Sequence, residues 1–317
     1  MTDVDLRPLG DSDLRVSRLC LGGNVFGWTA DEPASFRVLD DYVAGGGTFI
    51  DTADSYTAWI EGNSGGESET VIGRWLADRG RPEGLVLATK VGRHPGFRGL
   101  SAANVHAAAR ASLDRLGLES VDLYYAHIDD PETPLEESAR AFSELVDAGL
   151  VRRIGLSNHA PERIRAWLDI CADRGLHAPV CVQPHYSLLE RGVEDALVPL
   201  AQERGLALLP YFGLARGFLT GKYRPGGPAV DSPRAGGASA LLEDARALRV
   251  LDALDTVAGR LGVAQAAVAL AWLADRPAVA SVLASARGPE QLADLLSVQS
   301  LVLDPDSTAL LTEASAP

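Results

Sequence analysis

The chain has little of what several protein classes require. Its 317 residues include three cysteines and one methionine. Cys20, Cys171 and Cys181 stand singly in apolar stretches, without CxxC spacing or partner histidines. That pattern argues against a disulfide framework or a zinc site and makes them small core residues, so no metal is expected. Basic charge is scarce: 29 Lys and Arg face 43 Asp and Glu, a formal net charge of -14. Such a chain repels phosphate backbones, and no basic run with interleaved aromatics offsets it, so nucleic acid is not an expected partner. No stretch approaches the ~18 uninterrupted apolar residues of a membrane span. The opening MTDVDLRPLGDSD is acidic and has no apolar core of signal-peptide length. A cytoplasmic protein without a membrane partner is expected. Two phosphate-binding signatures are missing too. The first strand-to-helix turn has no GxGxxG, and GNSGGESE (62–69) lacks a GK[ST] ending, which makes it a flexible mouth loop leading into a helix.

What remains is a chain of 46% hydrophobic residues, enough to bury a large core. Short apolar runs alternate with longer helical patterns. Strands are expected at 18–23, 48–54, 85–90, 121–127, 151–158, 180–184, 206–212 and 278–284. Helices are expected at 34–46, 68–80, 101–117, 135–148, 161–174, near 193–204, near 243–261 and at 264–274. The class is α/β, and strict alternation of eight strands with helices, nearly every strand apolar enough for burial on both faces, predicts a (β/α)8 TIM barrel. An open doubly wound sheet is the alternative. One domain, 1–317, is expected, with an N-terminal hairpin around Gly10 to Asp13 and extended mouth loops. The Gly- and Pro-rich YRPGGPAVDSPRAGGAS (223–239) reads as a surface loop or lid.

Barrel chemistry gathers where strands end. Here strand two ends in Asp51, strand three in Lys90, strand four in His127, strand five in Ser157 and Asn158, strand six in Gln183 and strand seven in Tyr211. Singly, each has an ordinary explanation: a strand-end Asp or Asn caps a turn, and a Lys reaches into water. Six successive polar strand ends together point to one functional mouth. Asp51, Tyr56, Lys90 and His127 make sense as a unit. A tyrosine, with an ordinary pKa of about 10, is a poor acid at neutral pH, but a nearby ammonium favours its phenolate. Asp51 would keep Lys90 charged and oriented, and His127 would donate to a substrate oxygen or relay a proton. Such a group protonates a developing alkoxide, which is half of a carbonyl reduction. No side chain supplies hydride, so a nicotinamide cofactor is required.

The motifs DTADSY (51–56), LATK (87–90), YYAHIDD (124–130), GLSNH (155–159), QPHYSLLER (183–191) and LARGFLTGKY (214–223) resemble those of the aldo-keto reductases. These are barrel enzymes that bind NADPH without a Rossmann motif. The resemblance runs from LGDSDLRVSRLCLGG (9–23) to SARGPEQL (285–292). It implies that Asp51, Tyr56, Lys90 and His127 are the catalytic residues, with Tyr56 the general acid. It further implies that Ser157, Asn158 and Gln183 hold the nicotinamide carboxamide and that Tyr211 stacks on its ring. Leu214, Arg216 and Gly217 would wrap the pyrophosphate. Phe26, Trp28 and Trp59 fall where the family builds substrate walls.

The pattern departs at Phe212 and Gly213, where many relatives have Ser-Pro, and at Ala284, Ser285 and Leu295 near the end. Arg287 and Gln291 remain, and Arg287 suits the 2′-phosphate of NADPH because a guanidinium fork matches phosphate oxygens. NADPH is therefore expected, with NADH possible and a small carbonyl compound as substrate. Asp129 and Asp130, beside Pro131, read as turn and cap residues. Two other functions remain open: a cofactor-binding, redox-sensing partner module with slow turnover, and a barrel glycosidase. The second needs two acidic strand ends facing one another, which the Lys, His, Asn, Gln and Tyr ends do not provide.

Overall fold

The structure, a computed structural model, describes residues 5–233 and 235–316. Its centre is a ring of parallel strands: β1 (Leu19–Gly22), β2 (Phe49–Asp51), β3 (Val86–Val91), β4 (Val121–Ala126), β5 (Val151–Ser157), β6 (Pro179–Gln183), β7 (Ala207–Leu208) and β8 (Val282–Ala284). They are bonded in the order β7-β6-β5-β4-β3-β2-β1-β8. Closure comes from Leu208, whose N–H donates to Ala278 O at 2.7 Å and whose carbonyl accepts from Ala280 N–H at 3.1 Å. This is the expected (β/α)8 barrel.

Alternation along the strands sorts side chains between two cores. Cys20, Phe49, Val86, Ala88, Leu123, Tyr125, Cys181 and Ala207 fill the barrel interior, while Leu19, Leu21, Ile50, Leu87, Tyr124, Leu156 and Val182 face the helices. Each large apolar side chain buried this way contributes ~1.5–3 kcal/mol. The interior is tight enough to dictate a glycine: a Cβ on Gly155 would sit 2.5 Å from the Tyr125 ring and 3.0 Å from Cys181 Sγ. The N-terminal hairpin pairs Arg7–Pro8 with Arg15–Val16 and sends Leu9, Leu14 and Val16 into the same interior cluster, plugging the ring.

The outer layer is α1 (Glu32–Ala44), α2 (Glu67–Arg79), α3 (Ala102–Leu116), α4 (Leu135–Asp147), α5 (Pro161–Arg174), α6 (Leu197–Glu203), α7 (Ala245–Leu261), α8 (Gln265–Ala274), α9 (Pro289–Leu296) and α10 (Pro305–Ala314). Capping explains several starts. Asp31 accepts from Ala34 N–H at 2.9 Å with Pro33 in the first turn of α1, and Asp304 accepts from Ser307 N–H at 2.8 Å ahead of α10.

Some expected elements are shortened. β7 covers two residues rather than 206–212, because Pro210 has no N–H to give the ladder. Contact with β6 continues as separate bonds, Leu209 N–H to Val182 O and Tyr211 N–H to Pro184 O, both 2.9 Å. β8 begins at Val282 rather than 278, and α6 at Leu197 after a single 3-10 turn, Gly192–Glu194. Within the 223–239 segment, Ala235–Ser239 forms a short helix. Among the described residues no single helix is long and apolar enough to cross a membrane. All three cysteines are free and buried.

Candidate active site

Two-residue periodicity carries the inward-facing rows of the barrel to its C-terminal rim. Phe49 is followed by Asp51, Ala88 by Lys90, Tyr125 by His127, Gly155 by Ser157 and Cys181 by Gln183. The polar strand ends therefore stand above the apolar interior and converge.

At the floor, Asp51 and Lys90 are both 0% exposed. Lys90 Nζ donates to Asp51 Oδ2 at 2.5 Å, to the Thr52 carbonyl at 2.7 Å and to Tyr56 Oη at 2.9 Å. All three ammonium protons are thus used, one of them on the phenol oxygen. The Tyr56 hydroxyl also lies 3.2 Å from Asp51 Oδ2, and Gln183 Nε2 donates to Asp51 Oδ1 at 2.9 Å. The two rings of Tyr56 and His127 meet edge to face at 6.2 Å. Burial pushes the His127 imidazole well below its ordinary titration range, and the charges of Lys90 and Arg93 act in the same direction. The ring is therefore neutral at neutral pH, a hydrogen-bond donor rather than a proton source.

A second string of bonds joins the later strands. Asn158, at φ 57°, donates to the His127 carbonyl at 2.8 Å and to Ser157 Oγ at 3.0 Å. Tyr211 donates to Asn158 Oδ1 at 2.8 Å, and Ser157 Oγ donates to the Gln183 carbonyl at 2.9 Å. The half-buried Tyr211 ring is backed by His185, stacked at 5.4 Å and 16°. Ser157, Asn158, Gln183 and Tyr211 are thereby brought together against the floor.

A model of the aldo/keto reductase family matches residues 18–316. The chain belongs to this family. It is 35% identical over 315 residues to an uncharacterized oxidoreductase, YrpG, of Bacillus subtilis (strain 168), covering 96% of this chain and 94% of that one. It is 33% identical to a probable voltage-gated potassium channel subunit beta of Oryza sativa subsp. japonica, covering 92% and 90%. It is 30% identical to the aldo-keto reductase YhdN of Bacillus subtilis (strain 168), covering 95% and 90%. Aldo/keto reductases are oxidoreductases that generally use NAD(P)H.

In this aldo/keto reductase the backbone after β7 is held in unusual conformations. Phe212, Ala215 and Arg216 have φ of 55°, 46° and 60°, and Gly217 has 92°. Left-handed non-glycine residues cost free energy and cluster at binding sites. Leu214 opens the run. The exposed Arg216 guanidinium lies 5.5 Å from the Phe212 ring, and a Cβ on Gly237 would come within 2.8 Å of its Nη1, so the 223–239 segment packs beside it. Arg287 precedes α9, and its N–H donates to Gln291 Oε1 at 3.0 Å, which occupies Gln291 with local backbone. Among the described residues neither Arg216 nor Arg287 forms an ion pair.

Of the expected substrate walls, Trp28 and Trp59 meet edge to face at 5.7 Å, and Trp59 is 54% exposed. Phe26 does not join them. It is 0% exposed and packed in the outer core, because its N–H donates to the Gly23 carbonyl at 2.9 Å and the turn folds its ring inward. Asp130 shapes a turn as expected, accepting from Leu100 N–H and Thr133 Oγ1, both at 2.7 Å. Asp129 does not cap α4, whose N-cap is Pro134; it takes a two-pronged pair with Arg163 at 2.8 Å each. In the 62–69 segment, which leads into α2 as expected, Glu67 accepts from Ser64 N–H at 2.7 Å, Gly65 N–H at 3.0 Å and the Thr57 hydroxyl.

Sequence reasoning missed a buried network on the helix side of β3. Glu69, on α2 and 0% exposed, accepts from Thr89 Oγ1 at 2.5 Å and Arg115 Nε at 2.6 Å. Burial and the charge of Glu69 hold the neighbouring Asp54 carboxyl well above the usual carboxylate range. SETVIGRWLADRG reads as an amphipathic helix with an acidic first turn, so nothing in it marks Glu69 as inward-facing.

Proposed function

We propose that this aldo/keto reductase reversibly reduces a small aldehyde or ketone to the alcohol with NADPH, Tyr56 giving the proton. The observation that carries the reading is the buried Lys90 ammonium, 2.9 Å from Tyr56 Oη and 2.5 Å from Asp51 Oδ2. A fixed positive charge at that distance stabilises negative charge on the phenol oxygen as its proton leaves. Asp51 keeps the ammonium in place and is itself held by Gln183. The neutral His127 donates to the carbonyl oxygen and aligns it with Tyr56.

The residues fit a dinucleotide. Tyr211 offers a flat, half-buried ring whose hydroxyl is fixed by Asn158, while Arg216 and Arg287 keep guanidinium charge available for phosphate. When bound, the nicotinamide supplies the hydride to the carbonyl carbon. Tyr56 supplies the proton to the oxygen, and the same residue takes it back when an alcohol is oxidised. Leu214 and Gly217 would line the pyrophosphate beside Arg216. Free, buried thiols suit a reducing, cytoplasmic setting.

The test is a panel of aldehydes and ketones mixed with protein and NADPH, read by loss of nicotinamide absorbance. Rates at the protein-free background reject the reading. A second reading, a cofactor-binding partner module with slow turnover, is favoured by the kinship with the rice protein named as a probable channel beta subunit. Tight NADPH binding with background turnover would select it.

Cofactor choice turns on Arg287. Its replacement in Arg287→Ala is expected to weaken NADPH about tenfold, the scale of one charge-assisted contact at a partly exposed site, and to leave NADH nearly unaffected. Added salt should narrow the wild-type preference. Fluorescence titration of both cofactors checks this; equal loss for both, or none for either, removes the 2′-phosphate role.

A further inference from the structure

A cleft of about 710 Å³ opens past the ends of β3 and β4, lined by Gly92, Arg93, Arg98, Ser101, Asp129 and Ile128, the residue after His127, among others. One wall is a small hairpin in the β3–α3 loop, Arg93–His94 paired antiparallel with Phe97–Arg98, in which Arg93 lies directly opposite Arg98. The other wall is the turn that follows His127. Both arginines are exposed, and among the described residues neither has an ion-pair partner. On the facing wall Asp129 is paired with Arg163, whereas Asp130, held by Leu100 N–H, Glu132 N–H and Thr133, keeps its negative charge. The exposed Glu132 carboxylate, on the same wall, has no ion-pair partner among the described residues. In a chain of net charge -14, Arg93 and Arg98 stand side by side without a direct ion pair among the described residues.

Their position separates them from the cofactor. The phosphate candidates Arg216 and Arg287 follow β7 and β8, whereas the hairpin follows β3, four strands from β7 around the ring. The charge of Arg93 nevertheless reaches the rim residues. Its charge is felt by His127, where burial and Lys90 are the larger influences, and by Tyr211, where it opposes the upward push of burial. Gly92 and Arg93 come directly after β3, which carries Lys90, and Ile128 directly after His127, so the cleft borders the rim on which the reacting groups stand.

We propose that this cleft receives an anionic end of the substrate, so that the enzyme acts on carbonyl compounds carrying a carboxylate, with Arg93 as the principal contact and Arg98 beside it. This rests on the carbonyl-reduction reading. A planar carboxylate accepts two parallel N–H bonds from one guanidinium, and the contact fixes the distance from the anionic end to the carbonyl.

The matched pair 4-carboxybenzaldehyde and 4-methylbenzaldehyde tests it. With NADPH, the wild type is expected to favour the carboxylated aldehyde in kcat/KM. Arg93→Gln should lower the ratio of the two about tenfold, chiefly through KM, and added salt should erode the wild-type ratio. Calorimetric binding of 4-(hydroxymethyl)benzoate to the unmodified protein and to Arg93→Gln gives a readout independent of turnover. Binding weakened about tenfold by the substitution supports the anion site even if neither aldehyde is reduced, in which case only the carbonyl-reduction reading falls. A wild-type ratio near one, or a ratio and a binding constant unmoved by Arg93→Gln, overturns the proposal.

Discussion

Tyr56→Phe is expected to bind NADPH as the wild type does and to reduce carbonyl substrates about 10²–10⁴-fold more slowly, the usual scale of a lost general acid. The ring contacts survive the change: edge-to-face packing on His127 at 6.2 Å and on Trp59 at 6.4 Å needs no hydroxyl. Lys90 keeps Asp51 and the Thr52 carbonyl and loses only its third acceptor. The substitution therefore removes the proposed proton donor without removing a packing element, and kcat should fall with little change in cofactor affinity. Measuring kcat, KM and the NADPH dissociation constant decides the matter. A kcat near that of the wild type would show that another group gives the proton.

Lys90→Met should be more damaging, because it acts on the reaction and on the fold. Methionine fills much of the aliphatic volume but leaves the Asp51 carboxylate, 0% exposed, with the Gln183 amide at 2.9 Å and the Tyr56 hydroxyl at 3.2 Å as its remaining side-chain donors. Breaking a buried ion pair on one side costs ~3–5 kcal/mol. The expected outcome is a lower melting temperature, carbonyl reduction at or near background, and a changed pH profile for any residual rate. A double substitution, Asp51→Asn with Lys90→Met, should recover part of the melting temperature and none of the activity, since it removes the stranded charge but not the need for the ammonium. Retained rate with an unchanged pH profile would leave Lys90 a purely structural role.

Much of this arrangement was legible because it depends on period and punctuation. The inward rows that end in Asp51, Lys90, His127 and Gln183 follow from two-residue alternation in runs such as LVLATK and VDLYYAH, and Gly117 and Gly175 close α3 and α5 where the sequence breaks. Other features depend on contacts between distant segments. Phe26 looks like a loop aromatic, and only the folded turn shows its ring in the core. Glu69 looks like one acid in an exposed first turn until Arg115, 46 positions away, meets it. The GPEQL run after Arg287 could be read as the start of a short helix, and α9 begins there, whereas α10 left only a first-turn proline and Asp304 as a cap, in a segment without a helical period to reveal it. The Arg93–Arg98 hairpin is shorter still, two residues a side.

The brevity of β7 also bears on how the ring moves. Between β4 and β5 the ladder runs from Val121 to Ala126, whereas the join between β7 and β8 rests on Leu208 and on Leu283 N–H to Pro210 O. Segments with few ladder bonds open at the smallest free-energy cost, and their amides exchange with solvent first. The amides of Leu208, Ala280 and Leu283 are expected to exchange faster than those of Tyr124 and Tyr125. Tyr211 and Arg287 lie on opposite sides of that join, one after β7 and the other after β8. A dinucleotide held by both would work as a staple across the barrel's weakest joint, so NADP+ should slow exchange at these three amides and leave β4 unchanged. Loading would then close the cylinder as well as arm it.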